Sequence, residues 1–262
     1  MFGVFSDSCP DHWGRVLMKC REAVLANREN RKPRELRDSD FLLSVYDQSR
    51  MGALRFCLDE NGPFLSDDKE MSTPPWASLR TLEETARLIV KQFDREADRR
   101  IHFASAMTML GETDGASAAE NISYLDIASF IRSNGAAPNK DLKELWKRIV
   151  FNIAISNTDN HLRNHGFILT DNGWCLSPLY DVNPVPYGDN LSLNISSEDS
   201  RISGDLALET AQYYNIEENE AKLITEQILT SVREHWKELA GKYGISRSNI
   251  EYMKWAFSAS DS

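Results

Sequence analysis

The sequence predicts an α+β fold, in which a mostly helical carboxyl-terminal lobe carries a short β-hairpin and follows a smaller amino-terminal α/β segment. Two observations predict it. Apolar residues recur every three or four positions through long stretches of the second half, which is the spacing of amphipathic helices. Two short apolar runs flank Asn172-Gly173, which is the pattern of a hairpin. We therefore divide the 262 residues into an amino-terminal segment, 1–90, and a carboxyl-terminal lobe, 91–262.

The amino-terminal segment opens with a clear helix signal. Apolar residues on one face indicate a helix from Pro10 to about Asn27, with Ser8 as its cap. The charged stretch 28–40 contains Pro33 and is typical of an exposed connection. Further along, the pattern predicts a strand, a polar loop and a second helix, over residues 52–58, 66–75 and 79–87.

The carboxyl-terminal lobe holds the strongest helix signal of the chain. A helix is predicted from Asn139, after Pro138, because apolar residues repeat at Leu142, Leu145, Trp146, Ile149, Val150 and Ile153. A second long helix is predicted from about Glu217 to Lys242. Ser246 is the expected cap of a last helix that runs through Phe257.

Composition excludes several classes of protein. There are 30 Lys and Arg against 40 Asp and Glu, so the net charge of -10 argues against direct binding of nucleic acid through bulk charge. No apolar run approaches the roughly 18 residues that cross a membrane, and residues 1–7 do not form a secretory signal. We therefore expect a cytoplasmic protein without a membrane partner. The four isolated cysteines fit neither a zinc knuckle nor a redox motif.

The most informative stretch is the polar loop 157–166, which follows the strongest helix. It holds Asp159 and Asn164 in an Asp-x-x-x-x-Asn spacing, the predicted hairpin Phe167 to Leu176 comes directly after it, and Asp181 follows. Phosphoryl transfer to a hydroxyl needs an Asp to orient the nucleophile and accept its proton, with an Asn and a second Asp to hold Mg²⁺. Protein kinases supply these groups in this order. The order of helix, loop, hairpin and second Asp therefore favours a phosphotransfer site.

Other interpretations of the loop are possible. It could be a plain surface connection. His161 and His165 lie four residues apart and could share a metal ion if they stood on one helix. The predicted helix ends before Asn157, however, so we favour a role for His161 in positioning the loop or a neighbouring phosphate. A serine hydrolase is excluded because no Gly-x-Ser-x-Gly occurs.

These residues resemble the HipA-like serine/threonine kinases of bacterial toxin–antitoxin modules. The similarity is close over residues 152–186, which include the loop 157–166 and the run Leu176-Ser177-Pro178-Leu179-Tyr180-Asp181-Val182-Asn183-Pro184. Further similarity extends the resemblance over nearly the whole chain. It is found in the closing helices and in residues 2–15, 93–95, 105–111 and 205–208.

The resemblance implies a role for each candidate residue. Asp159 would be the catalytic aspartate, and Asn164 and Asp181 would be the Mg²⁺ ligands. His161 and Tyr180 would line the ATP site, and the hinge that meets adenine would be formed by Lys91, Gln92 and Phe93, with Asp94 just beyond it. Phe93 could instead be a core aromatic residue, and Asp94 could form a surface ion pair with Arg95. The implied partners are a protein substrate that offers a hydroxyl and an antitoxin protein.

The sequence also departs from the family. None of the 13 glycines forms the Gly-x-Gly-x-x-Gly of a phosphate-binding loop, and no strand lysine with a partner glutamate is evident. The family's small domain ahead of Met1 is expected to be missing, and the predicted helix 79–87 runs almost directly into the hinge. Lys91 could itself be the strand lysine, but its place beside Phe93-Asp94-Arg95 favours the hinge. Two hypotheses follow: an ATP- and Mg²⁺-dependent protein kinase, or a truncated, inactive kinase remnant that acts as a binding protein or has no function.

Overall fold

The computed structural model describes residues 12–37, 40–41, 93–96 and 99–260. The chain divides into two compact units, residues 1–104 and 105–262. Several predicted features lie outside the described residues, and these are the cap at Ser8, the strand 52–58, the loop 66–75, the helix 79–87 and the hinge residues Lys91 and Gln92.

The first unit contains one long helix and a short hairpin in its described part. Helix α1 spans His12–Arg28, which confirms the predicted first helix within one or two residues at each end. Strands β1, Arg95–Glu96, and β2, Arg99–Arg100, pair antiparallel. The guanidinium of Arg15 lies 5.0 Å from the centre of the Phe41 ring, a cation–π contact.

The second unit is mostly helical. Its α-helices are α2, Ala106–Leu110; α3, Tyr124–Asn134; α4, Pro138–Ala154; α5, Gly204–Thr210; α6, Glu218–Lys242; and α7, Arg247–Met253. Short 3-10 turns lie at Ala118–Glu120, Leu162–Asn164 and Ala211–Tyr214, and a last one, Lys254–Ser260, follows α7. Among the described residues, no helix is both long enough and apolar enough to span a membrane.

A small sheet supports the loop that carries the candidate site. Its strands are β3, Phe103–Ser105, β4, Gly166–Thr170, and β5, Gly173–Leu176, in the order β3-β4-β5. The predicted hairpin is confirmed, and Gly173 has a φ of +120°. Its tip differs by one residue from the prediction, because Thr170 pairs with Gly173 and leaves Asp171-Asn172 as the turn.

Helix α4 forms the centre of the core. Its predicted apolar face is confirmed, because the side chains at Leu142, Leu145, Trp146, Ile149 and Ile153 are fully buried. The helix packs against α3 and α6. Pro138 begins it, as predicted, where a missing backbone N–H costs nothing. The Trp146 indole N–H donates to the Ala207 carbonyl at 3.0 Å and fixes α5 against the helix.

Two polar side chains of α4 hold the hairpin in place. The Asp141 carboxylate accepts the backbone N–H of Leu176 at 2.9 Å, and burial raises the pKa of that carboxyl. Arg148 donates from Nη2 to the Ser177 carbonyl at 2.8 Å. The partners are the last residue of β5 and the residue after it, so α4 determines where the chain leaves the sheet and continues toward Asp181.

The last helices agree with the predicted bounds at their starts. Helix α6 begins one residue after the predicted Glu217, and the Ser246 hydroxyl caps α7 by accepting the N–H of Asn249 at 3.3 Å. The predicted helix through Phe257 changes to a 3-10 turn at Lys254. There the Phe257 ring stacks on Trp236 with centroids 4.2 Å apart, which anchors this segment on α6.

Candidate phosphotransfer site

The chain reverses sharply where α4 ends. Ser156 adopts a φ of +48°, and the N–H of Asn157 returns to the Asn152 carbonyl at 2.9 Å. A left-handed conformation is uncommon for serine and is maintained only where surrounding contacts impose it. One such contact is the hydroxyl of Ser192, which donates to the Thr158 carbonyl at 2.6 Å. The backbone immediately before Asp159 is therefore held from two sides.

Asp159 and Asn164 are joined across the loop. The Asn164 side chain donates from Nδ2 to the Asp159 carbonyl at 2.9 Å, and the intervening 3-10 turn is closed by the N–H of Asn164 on the His161 carbonyl. Asn164 is buried, whereas Asp159 is exposed. The bond uses the amide nitrogen of Asn164, so the amide oxygen is oriented and remains available as a ligand.

Asp181 lies on an exposed segment with an unusual backbone. Its φ is +51°, a conformation that Asp and Asn adopt more readily than most residues. Asn183 donates from Nδ2 to Asp181 Oδ1 at 2.9 Å. The hydroxyl of Tyr180 donates to the Arg163 carbonyl at 2.5 Å. The residue before Asp181 is thereby attached to the residue before Asn164.

The donor atoms of these three residues suit a hard cation. Carboxylate and amide oxygens are the ligands that Mg²⁺ prefers, and it uses one or two protein carboxylates together with phosphate oxygens and water. Asp181 supplies an exposed carboxylate and Asn164 an oriented amide oxygen. Among the described residues, no cluster of three or more His, Cys, Asp or Glu forms an all-protein metal site. Asn164 and Asp181 therefore offer oxygen ligands of the kind that Mg²⁺ takes together with phosphate.

A buried polar cluster lies beneath the loop. Asn157 donates from Nδ2 to Asn152 Oδ1 at 3.1 Å, and Asn160 donates to the Tyr124 hydroxyl at 3.3 Å. All of these side chains are buried. Burial raises the pKa of the Tyr124 hydroxyl, so it remains neutral. The cluster connects the end of α4 to the first turn of α3 and supports the loop from below.

His165 belongs to this buried layer. Its ring is fully buried and meets Tyr124 edge to face, with centroids 5.4 Å apart. Burial, and secondarily the positive charge of Arg148, lowers the pKa of His165 to about 3, so the imidazole is neutral. His161 is only half-buried. The two histidines therefore occupy different environments, and a 3-10 turn rather than an α-helix separates them.

Two predicted hinge residues belong to the first unit. The rings of Phe93 and Phe103 have centroids 5.8 Å apart, so Phe93 has the aromatic neighbour that a core residue would have. Asp94 is fully buried, and its carbonyl accepts the N–H of Ile101 at 2.9 Å. The Asp94 side chain is therefore shielded from solvent and does not lie on the surface.

The loop, the hairpin and Asp181 all lie within a stretch that matches a known family. The family model for the HipA-like C-terminal domain matches residues 68–236. The chain belongs to this family. The match begins after the stretch 2–15, whose similarity was expected from the sequence, and it ends before α7.

Curated relatives of this HipA-like chain are named as kinases. "Putative kinase Y4mE" of Sinorhizobium fredii is 32% identical over 111 residues, which cover 39% of this chain and 26% of the relative. A "Putative kinase" of Haemophilus influenzae is 30% identical over 108 residues, which cover 37% of this chain and 32% of the relative. The matched stretches thus span about a quarter to a third of the relatives' length.

A solved structure shares the HipA fold. HipA of Shewanella oneidensis MR-1, from a toxin–antitoxin complex of HipA, HipB and operator DNA, superposes with a TM-score of 0.55 at 16% identity. The superposition covers 65% of this chain and 47% of that one. At this identity the likeness shows the fold alone.

The candidate site contains residues that sequence reasoning did not single out. Tyr124 and Asn160 build the buried cluster, and Asp141 and Arg148 fix the hairpin. The number of asparagines around the loop was a usable signal, because buried amides need partners. Tyr124 gave no signal, since 36 positions separate it from the asparagine that it contacts.

Proposed function

We propose that this chain carries the phosphotransfer site of a HipA-type serine/threonine protein kinase that uses ATP and Mg²⁺. The observation that carries the proposal is the hydrogen bond from the Asn164 amide to the Asp159 carbonyl. It places an exposed carboxylate and an oriented amide oxygen at the two ends of one short loop. Family membership and the names of the two curated relatives support the same class of activity.

Asp159 is the proposed catalytic residue. Its backbone carbonyl anchors the loop, while its carboxylate is exposed. The side chain can therefore orient the hydroxyl of a serine or threonine on a protein substrate and accept its proton as phosphate transfers. The buried cluster under the loop holds the backbone that carries Asp159, so little reorganisation of the loop is needed at the moment of reaction.

Asn164 and Asp181 are the proposed Mg²⁺ ligands. Nδ2 of Asn164 is used by the loop, which leaves Oδ1 for the metal. Asn183 bonds only one oxygen of Asp181, which leaves the other. Bound Mg²⁺ would neutralise the charge on the transferred phosphoryl group.

His161 and Tyr180 are the proposed nucleotide contacts of the second unit. The Tyr180 hydroxyl is fixed on the Arg163 carbonyl, so its ring has a defined orientation. Lys91, Gln92 and Phe93 are the proposed adenine contacts, largely through their backbone, and Asp94 follows them. These contacts would supply affinity for ATP without the phosphate-binding glycines that the sequence lacks.

A second candidate function is an inactive kinase remnant that binds a partner protein. The absence of Gly-x-Gly-x-x-Gly among the 13 glycines favours it. Without that backbone cradle and a strand lysine, the phosphates lose their main electrostatic contacts, and the rate of transfer should fall by orders of magnitude. We therefore expect the 262-residue chain to bind Mg²⁺-ATP and to transfer phosphate below detection.

An antitoxin-type protein is the proposed macromolecular partner. The Shewanella HipA structure contains HipB and operator DNA. For this chain we propose contact with the antitoxin and none with DNA, because the net charge of -10 opposes phosphate binding.

Thermal unfolding with Mg²⁺-ATP tests the proposed site. Ligand at ten times Kd stabilises the folded state by about 1.4 kcal/mol. We expect the melting temperature to rise by roughly 3–6 °C in the native chain and by no more than roughly 1–2 °C in Asp181→Ala. Asp171→Ala removes an exposed carboxylate at the hairpin turn and is the matched control.

Labelled phosphate separates the two candidate functions. With casein as acceptor, no label is expected from the 262-residue chain. Label that Asp159→Asn abolishes would instead establish an active kinase. If millimolar Mg²⁺-ATP changes the melting temperature of neither the native chain nor any variant, nucleotide binding is contradicted.

A further inference from the structure

A polar pocket of about 390 Å³ lies in the second unit beside the candidate catalytic loop. Its wall is formed by the segment that follows Asp181, by the 3-10 turn at the end of the chain and by the start of the loop. The residues that define this Trp255 pocket are Ser156, Tyr187, Gly188, Asp189, Trp255 and Ser258. None of them has a role in the proposed phosphotransfer.

The Trp255 pocket and Asp159 belong to one packed unit. Ser156, on the pocket wall, is the residue at which the chain turns into the loop. Gly188 packs so closely on Thr158 that a Cβ added to it would lie 3.1 Å from Thr158 Cγ2. Thr158 directly precedes Asp159. A group held in the pocket would therefore be held at a fixed position relative to the proposed catalytic carboxylate.

The pocket has the chemistry of a cation site. Tyr187 is 70% exposed and Trp255 is 63% exposed, so both rings are accessible to a ligand. The Lys254 ammonium already lies 5.3 Å from the centre of the Trp255 ring, so this ring attracts a cation. The Asp189 carboxylate is exposed, and no cation pairs with it in the part of the chain that the structure describes. Two aromatic rings and a carboxylate together recognise a positive side chain.

We propose that the Trp255 pocket binds an arginine side chain of the polypeptide that presents its hydroxyl to Asp159. The link to the acceptor hydroxyl rests on the proposed kinase function. Arginine fits better than lysine, because a planar guanidinium stacks on aromatic rings and pairs with a carboxylate through two hydrogen bonds. A nucleic acid fits less well, because Asp189 and the net charge of -10 repel phosphate.

Binding of a defined peptide tests the pocket without requiring catalysis. The probe is a fluorescein-labelled peptide of nine residues with a central serine, one arginine and otherwise alanine, prepared with the arginine at each flanking position in turn. A second set carries citrulline, which has the same shape and no charge. Fluorescence anisotropy measures Kd for the native chain and for Asp189→Asn, Trp255→Leu and Tyr187→Ala. Tyr243→Ala is the control, since Tyr243 is 76% exposed and does not line the pocket.

We expect at least one arginine peptide to bind, and its citrulline form to bind about tenfold more weakly. Each pocket variant should weaken binding of the arginine peptide by a similar factor, and Tyr243→Ala should not. Equal affinity for arginine and citrulline forms, or no binding of any arginine peptide at millimolar concentration, would overturn the proposal. Tighter binding of a labelled oligothymidylate that depends on Tyr187 and Trp255 would also overturn it, in favour of base stacking.

The same variants distinguish failure of the pocket from failure of the kinase proposal. The shift in melting temperature caused by Mg²⁺-ATP should be intact in Asp189→Asn, because Asp189 is not a proposed nucleotide or metal ligand. That shift without peptide binding would reject the Trp255 pocket alone. Arginine-dependent peptide binding without the shift would reject the nucleotide site and leave the pocket as a peptide-binding site.

Discussion

Removal of the Tyr180 hydroxyl should loosen the attachment between the Asp181 segment and the loop that carries Asn164. Tyr180→Phe deletes the 2.5 Å hydrogen bond to the Arg163 carbonyl and keeps the ring. A single hydrogen bond contributes about 0.5–1.5 kcal/mol net. We therefore expect a loss of about 0.5–1.5 kcal/mol in the free energy of unfolding, or roughly 2–6 °C in melting temperature.

Tyr214→Phe is a matched change with the opposite expectation. The Tyr214 hydroxyl is buried, its pKa is raised by burial, and it has no hydrogen-bond partner among the described residues. Burial of a hydroxyl without a partner costs about 1–3 kcal/mol in proteins, so its removal should leave stability unchanged or increase it. Urea unfolding followed by circular dichroism measures both variants at one pH, with the slope m checked for two-state behaviour.

The two variants also distinguish loss of the attachment at Tyr180 from a general loss of packing. If Tyr180 attaches the Asp181 segment, Tyr180→Phe should reduce the affinity for Mg²⁺-ATP as well as the stability, and Tyr214→Phe should leave that affinity unchanged. The reasoning is refuted if the two variants change stability by the same amount and in the same direction.

The remaining predictions concern the hairpin and the buried histidine. Gly173→Val should lower the melting temperature, because a β-branched residue is strained at a φ of +120°; an unchanged melting temperature would count against the turn. His165 binds its proton in the unfolded chain near pH 6.5 and in the folded chain only near pH 3, so its contribution to stability is lost as pH falls through that window. At pH 5 this costs about 2 kcal/mol of the free energy of unfolding. Urea unfolding should therefore show a smaller decrease in that free energy from pH 7 to pH 5 in His165→Phe than in the native chain. Equal decreases in the two proteins would contradict the reasoning.

The helices and the hairpin could be predicted because their signals are local. Pro138 and the apolar repeat after it determine where α4 begins and which face is buried. The positive φ predicted at Gly173 is also confirmed. The tip of the hairpin was displaced by one residue, because pairing of Thr170 with Gly173 depends on the register of two strands and not on the turn residues alone.

Contacts between distant positions could not be predicted in this way. The Tyr180 hydroxyl reaches Arg163 across 17 positions, and Ser192 reaches Thr158 across 34. Burial of His165 against Tyr124 likewise requires that α3 already be packed under the loop. The identity of Asp159 and Asn164 as candidates came from spacing, whereas the bond that joins them became evident only in three dimensions.

Water-proton relaxation in the presence of Mn²⁺-ATP tests the central claim most directly, because the paramagnetic ion relaxes water faster when its complex is bound to a large molecule. We expect the native chain to enhance relaxation in a saturable manner. Asn164→Ala and Asp181→Ala should each weaken binding by about tenfold or more, while Asp159→Asn and the control Asp171→Ala should bind like the native chain. No enhancement with the native chain, or equal enhancement in all four variants, would contradict a metal–nucleotide site built from Asn164 and Asp181.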